Sequence, residues 1–145
     1  ILNQAIDNFE FKSYETSLDV KDFDTSFVKG LSFEDGCATL TKFTAYLIAD
    51  GLRKINRHNN VNPHQYIFCG GGRKNKFLMQ SIKNYLINQN IIIKDIDDYN
   101  FDGNFIESQA FAYLAIRSYL KLPISFPSTT RCKKAISGGD VLQNF

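Results

Sequence analysis

The chain has 145 residues, 43% of them hydrophobic and 22% charged, with a net charge of +2. That composition fits one globular domain of ordinary size. The charge is too small to argue for nucleic acid or a membrane surface, and no apolar run approaches the roughly 20 residues that span a bilayer.

The N-terminus shows no signal peptide, because Asp7, Glu10 and Glu15 interrupt any apolar region. The chain begins with Ile rather than Met, so it reads as a piece of something larger. Residues 1–11 suit a strand or a short helix. Residues 17–23 read as a loop entering a short helix that ends near Gly30. A clearer helix is expected from about Thr39 to Ile55. Leu40, Phe43, Leu47, Ile48, Leu52 and Ile55 recur on one face. Gly36 lies just upstream, and Thr39 suits the N-cap. Asp50 and Arg53 belong by default on a solvated face of this helix. Gly51 costs roughly 1 kcal/mol relative to Ala, a cost that close packing of that turn would offset.

A polar linker over residues 56–65 leads to a strand at Tyr66–Cys69. Then come Gly70, Gly71 and Gly72, and after them Arg73, Lys74 and Asn75. Asn75 is a natural cap for a helix from Lys76 to Asn88, with Phe77, Leu78, Ile82, Tyr85 and Leu86 facing the core. A strand, a side-chain-free turn and a helix start thus fall within ten residues. Glycines let backbone N–H groups approach a ligand, and a helix N-terminus adds positive partial charge. This suits a nucleotide phosphate or an adenosine ribose. It equally suits a strand-to-helix connection with no ligand. Arg73 and Lys74 are placed to meet phosphates, or simply to be solvated.

Ile91, Ile92 and Ile93 are all β-branched and read as a buried strand. The resulting strand–helix–strand order is the unit of a parallel or mixed α/β sheet. Asp102, Gly103 and Asn104 form a turn before a helix over residues 105–120. That helix is apolar on most of its circumference and is expected to pack on two sides. Pro123 ends it, and Pro127 is expected to keep the next segment extended. The tail carries Gly138, Gly139 and the apolar pair Val141 and Leu142.

Glu107 is the carboxylate that stands out, in the first turn of this apolar helix. Asn104 and Glu107 match a capping box, and an acid there complements the macrodipole. Neither role prevents the carboxylate from accepting a hydrogen bond from a sugar hydroxyl. Cys37, Cys69 and Cys132 are far apart. With His58 and His64 they complete no zinc spacing, so they read as free thiols of a reducing cytosol, buried or incidental. The aromatic residues, 14% of the chain, fall on helical core positions. They do not alternate with Lys or Arg as a nucleic-acid stacking platform would.

Three segments taken in order resemble one family. They are residues 38–45 (ATLTKFTA), 69–75 (CGGGRKN) and 102–115 (DGNFIESQAFAYLA), and the tail over residues 122–130 (LPISFPSTT) fits the same pattern. The chain is similar, from about Thr16 onward, to anhydro-N-acetylmuramic acid kinase, a bacterial enzyme of peptidoglycan recycling. The resemblance implies an α/β fold: one ribonuclease-H-like lobe of an actin-like ATPase fold, a mixed sheet with packed helices. Residues 1–37 would lead in from a missing N-terminal lobe, and residues 38–145 would form the C-terminal lobe.

The implied reaction turns 1,6-anhydro-N-acetylmuramic acid, ATP and water into N-acetylmuramic acid 6-phosphate in the cytoplasm. ATP with Mg2+ is the implied cofactor. The general-base Asp of the family belongs to the missing part, and no residue here matches it, so no catalytic residue and no metal ligand is assigned. Gly70, Gly71, Gly72 and Asn75 match the segment expected near adenosine or ribose, and Glu107 matches a family Glu facing the sugar. The family usually has a small residue where Arg73 stands and Pro where Lys76 stands. Residues 132–134 also depart from its usual small residues. The implied partners are the anhydromuramic acid sugar and a separate N-terminal lobe or a second copy. No nucleic acid or membrane is among them. The alternatives are a lobe of another actin-like ATPase, and a non-catalytic remnant or interaction module of a split sugar kinase.

Overall fold

A computed structural model describes residues 1–9, 19–58, 64–140 and 142. It divides into two compact units, Ile1–Asp95 and Ile96–Phe145. Among the described residues it is mixed helix and strand, with one small parallel sheet.

The first unit opens with helix α1, Leu2–Asn8, which resolves the N-terminal choice in favour of a helix. Two short 3-10 turns follow at Val20–Asp22 and Ser26–Val28. The loop expected over residues 17–23 falls partly in residues 10–18, outside the described residues. Phe9 stacks on Phe23 and meets Phe43 edge-on, both at 5.6 Å, and Phe27 meets Phe43 at 5.1 Å. These rings fasten α1 and the turns to the next helix.

That helix, α2, spans Phe33–His58 and starts six residues before the expected Thr39. The reason is a reciprocal cap at Ser32. Its Oγ accepts from the Asp35 N–H at 3.0 Å and donates to Asp35 Oδ2 at 2.9 Å, and its carbonyl accepts from the Gly36 N–H at 2.9 Å. The cap offsets the roughly 1 kcal/mol cost of Gly36 inside a helix. Ser32→Ala should lower stability by about 1 kcal/mol, the usual scale for a lost cap. A urea titration checks this, and an unmoved midpoint would show that the helix start is held by something else.

The deepest residues of α2 are small. Ala45 and Ala49 are fully buried and Phe43 nearly so, whereas Ile55 is exposed. One alanine per turn lets another helix approach closely. Gly51 is buried too, in keeping with close packing of that turn. Arg53 is not on a solvated face. Its Nη1 donates to the Tyr85 carbonyl at 3.1 Å and its guanidinium lies over the Tyr46 ring. Asp50 pairs with Arg53 at 3.4 Å and with Lys54 at 2.8 Å.

Strand β1 spans His64–Phe68, helix α3 Lys76–Tyr85 and strand β2 Ile91–Asp95. The strands pair in parallel, from His64 opposite Ile91 to Phe68 opposite Asp95. The expected strand–helix–strand unit is therefore present, although β1 starts within the stretch expected as linker. The core joins Ala45, Ala49, Ile82 and Leu86, with Leu78, Met79, Ile91 and Ile93 packed against it. Two expectations fail here. Phe77 is exposed. In β2 the side chains alternate between partly buried and exposed, because helices cover one face of a two-stranded sheet rather than both.

The second unit holds α4, Ile106–Tyr119, and a single helical turn α5, Pro127–Thr130. Helix α4 was expected to pack on two sides, yet none of its residues is buried. Phe111, Tyr113, Ile116 and Tyr119 are 58–68% exposed. Pro127 starts a helical turn instead of prolonging an extended segment, because its fixed φ suits the first helical position. Ser125 bridges to Ile136. Of the expected apolar pair at the tail, Val141 lies outside the described residues and Leu142 is exposed.

Candidate functional site

The glycine turn begins where β1 ends. Gly70 has φ +80° and ψ 173°, a region open essentially to glycine alone. A 3-10 turn over Gly71–Lys74 follows, and then Asn75. The Asn75 side chain accepts from the Leu78 N–H at 3.0 Å and caps α3 as expected. Its amide oxygen takes this bond, and its amide nitrogen carries two donors.

A Cβ placed on Gly70 or Gly71 would meet no atom within 4 Å, and one on Gly72 would lie 3.9 Å from Leu78 Cδ2. The side of the turn at Gly70 and Gly71 is thus open. Backbone without side chains on an open flank is what close approach to a phosphate or ribose requires.

Arg73 is not solvated, as one of its two expected positions had it. Its side chain is only 4% exposed. Nη1 donates to the Gly70 carbonyl at 2.9 Å and Nε donates to Asp95 Oδ1 at 3.1 Å. Asp95 was not singled out from the sequence. The available signal was the parallel pairing of the two strands, which sets Asp95 level with Phe68, just before the turn. Lys74 is exposed.

Glu107 lies in the second unit, in the first turn of α4, and is exposed. The expected capping box is absent. The N-cap is Phe105, without a side-chain cap bond. Asn104 instead bonds backward, its N–H and its side-chain amide both reaching Asp102 Oδ1, at 2.9 and 2.7 Å. This Asx-type turn competes with capping for the same side chain. The Gly103 N–H donates to Asp97 Oδ1 at 3.0 Å, which ties the turn to the preceding segment. Glu107 is left with the macrodipole as its local stabilisation.

The structure therefore brings Gly70, Gly71, Gly72 and Asn75 together on one strand–turn–helix, with Glu107 on a helix start of the other unit. Cys37 and Cys69 are exposed free thiols and Cys132 is a partly buried one. Among the described residues, no three or more His, Cys, Asp or Glu are grouped to hold a metal ion. No helix among them is long and apolar enough to cross a membrane.

The family model for anhydro-N-acetylmuramic acid kinase matches residues 7–144. The anhydro-N-acetylmuramic acid kinase of Pelagibacter ubique (strain HTCC1062) is 57% identical over 148 aligned positions, covering 100% of this chain and 39% of that protein. The one from Brucella canis is 38% identical over 127 positions, covering 88% of this chain and 33% of the relative. The one from Zymomonas mobilis is 38% identical over 125 positions, covering 86% and 32%. The chain thus spans 39% or less of the length of these curated relatives.

Proposed function

The chain belongs to the anhydro-N-acetylmuramic acid kinase family, and we propose that it is the C-terminal part of a cytoplasmic, ATP-dependent kinase of that kind. The reaction is conversion of 1,6-anhydro-N-acetylmuramic acid to N-acetylmuramic acid 6-phosphate. In this reading residues 38–145 form one lobe of an actin-like fold, and residues 1–37 lead into it from an N-terminal lobe that carries the general-base Asp. The carrying observation is a family match over nearly the whole chain that includes an open glycine turn between a strand and a capped helix.

The residues present fit a nucleotide. The open flank at Gly70 and Gly71 leaves room for a ligand against bare backbone. Gly70, Gly71 and Gly72 would hold the adenosine or ribose end, and the Asn75 amide nitrogen would donate to it. ATP with Mg2+ supplies the phosphoryl group. Glu107, freed from capping, would accept a hydrogen bond from a sugar hydroxyl and orient the ring. Orientation of this kind is a large part of what a kinase contributes.

The exposed apolar side chains of α4 support a larger assembly. Phe111, Tyr113, Ile116 and Tyr119 all lie on this one helix, and large exposed apolar patches are uncommon on a finished surface. The remainder of a kinase as long as the relatives is the occupant we propose for them.

Gly71→Val tests the nucleotide site. Gly71 does not have a left-handed φ, and an added Cβ meets nothing, so the variant is expected to fold. ATP affinity of the complete protein should fall by about tenfold, equivalent to about 1.4 kcal/mol, while the sugar KM stays near its wild-type value. Unchanged ATP affinity would mean that the turn only connects strand to helix.

A further inference from the structure

We propose that Arg73 is a positioning residue that sets the Gly70–Gly72 turn for nucleotide, working as a latch between the turn and β2. The role rests on the turn being nucleotide-binding, and it adds a residue that does not itself touch the ligand.

The guanidinium joins two elements. It holds the Gly70 carbonyl at 2.9 Å and the Asp95 carboxylate at 3.1 Å, with the Arg73 side chain 4% exposed. An enclosed charge needs such partners, because burying it unpaired is costly. Asp95 supplies the opposite charge from the end of β2, in register with the residue two before Gly70.

The consequence lies in the peptide between Gly70 and Gly71. In a trans peptide the carbonyl and the following N–H point in opposite directions. Holding the Gly70 carbonyl toward Arg73 therefore turns the Gly71 N–H away from Arg73. Gly70, with φ +80° and ψ 173°, is the N-cap of the 3-10 turn, so its carbonyl takes the first backbone bond of that turn, and the Arg73 guanidinium adds a second, side-chain hold on the same oxygen. Arg73 thus reinforces the direction in which the Gly71 donor points before a ligand arrives. A lysine would carry the charge but lacks the planar fork that reaches two acceptors at once.

The test is binding of ADP, by calorimetry, to the complete protein and to five variants, with the sugar KM measured alongside. Arg73→Lys and Arg73→Met should each weaken ADP by about tenfold, the scale of one lost charge-assisted hydrogen bond, and leave the sugar KM unmoved. Asp95→Ala, at a 39%-exposed position, is expected to fold even if the Arg73 variants do not. It should weaken ADP several-fold. Asp95→Asn keeps an acceptor and should restore affinity to within about threefold of wild type. Gly71→Val reads the nucleotide site directly. If Gly71→Val loses affinity while folded Arg73→Lys and Asp95→Ala bind as wild type, the latch is overturned and the nucleotide reading stands. Wild-type affinity in all five overturns the nucleotide reading, and the latch with it.

Discussion

The 145-residue chain on its own is expected not to phosphorylate 1,6-anhydro-N-acetylmuramic acid. It spans 39% of the length of its Pelagibacter ubique relative. In the proposed reading, the general base and part of the phosphate-binding surface lie outside it. A missing general base alone typically costs about 10²–10⁴-fold, and lost positioning of the triphosphate adds to that. In the proposed reading, the exposed apolar side chains of α4 are covered only in the complete protein. The check is a coupled ADP assay on the purified chain, with folding confirmed by circular dichroism. Clear turnover of the sugar would show that the base sits within these residues after all.

Glu107→Gln is the second large effect, expected in the complete protein. Because α4 has no capping box, the substitution removes only a charge from the first helical turn. Stability should fall by no more than about 1 kcal/mol, the scale of a macrodipole term. If the carboxylate orients the sugar, a charge-assisted hydrogen bond of about 1.5–3 kcal/mol is weakened, and kcat/KM should fall by about tenfold or more. Thermal melts and steady-state kinetics on the same preparation separate the two effects. Wild-type kinetics in a folded Glu107→Gln protein would reduce Glu107 to a residue that only favours its helix.

The parts of the fold set by local chemistry were legible. The Ile91–Ile93 run, the Asn75 cap and the glycine triplet located β2, α3 and the turn between β1 and α3. Where two local preferences compete, the sequence pattern did not decide the winner. Gly36 looks like a break, but the reciprocal bonds of Ser32 and Asp35 carry the helix through it. Asn104 looks like a cap, but Asp102 is two residues away and captures its amide groups.

Tertiary partners were less legible still. Ala45 and Ala49 form the deepest part of the core because α3 packs there, whereas the helical spacing of the large apolar residues points to their neighbours. Arg73 resembled a phosphate ligand because nothing local shows that Asp95, 22 residues on, takes its guanidinium. The apolar circumference of α4 was visible. Its exposure was not, since no segment of the described chain buries its residues.

The most direct test of the proposed reaction is product analysis with the complete protein, ATP and 1,6-anhydro-N-acetylmuramic acid. Mass spectrometry and phosphorus NMR should find one N-acetylmuramic acid 6-phosphate for each ADP released. The mass should be that of the anhydro sugar plus one water and one phosphoryl group. ADP release without a phosphorylated sugar, or no reaction at all from a folded complete protein, would contradict the assignment.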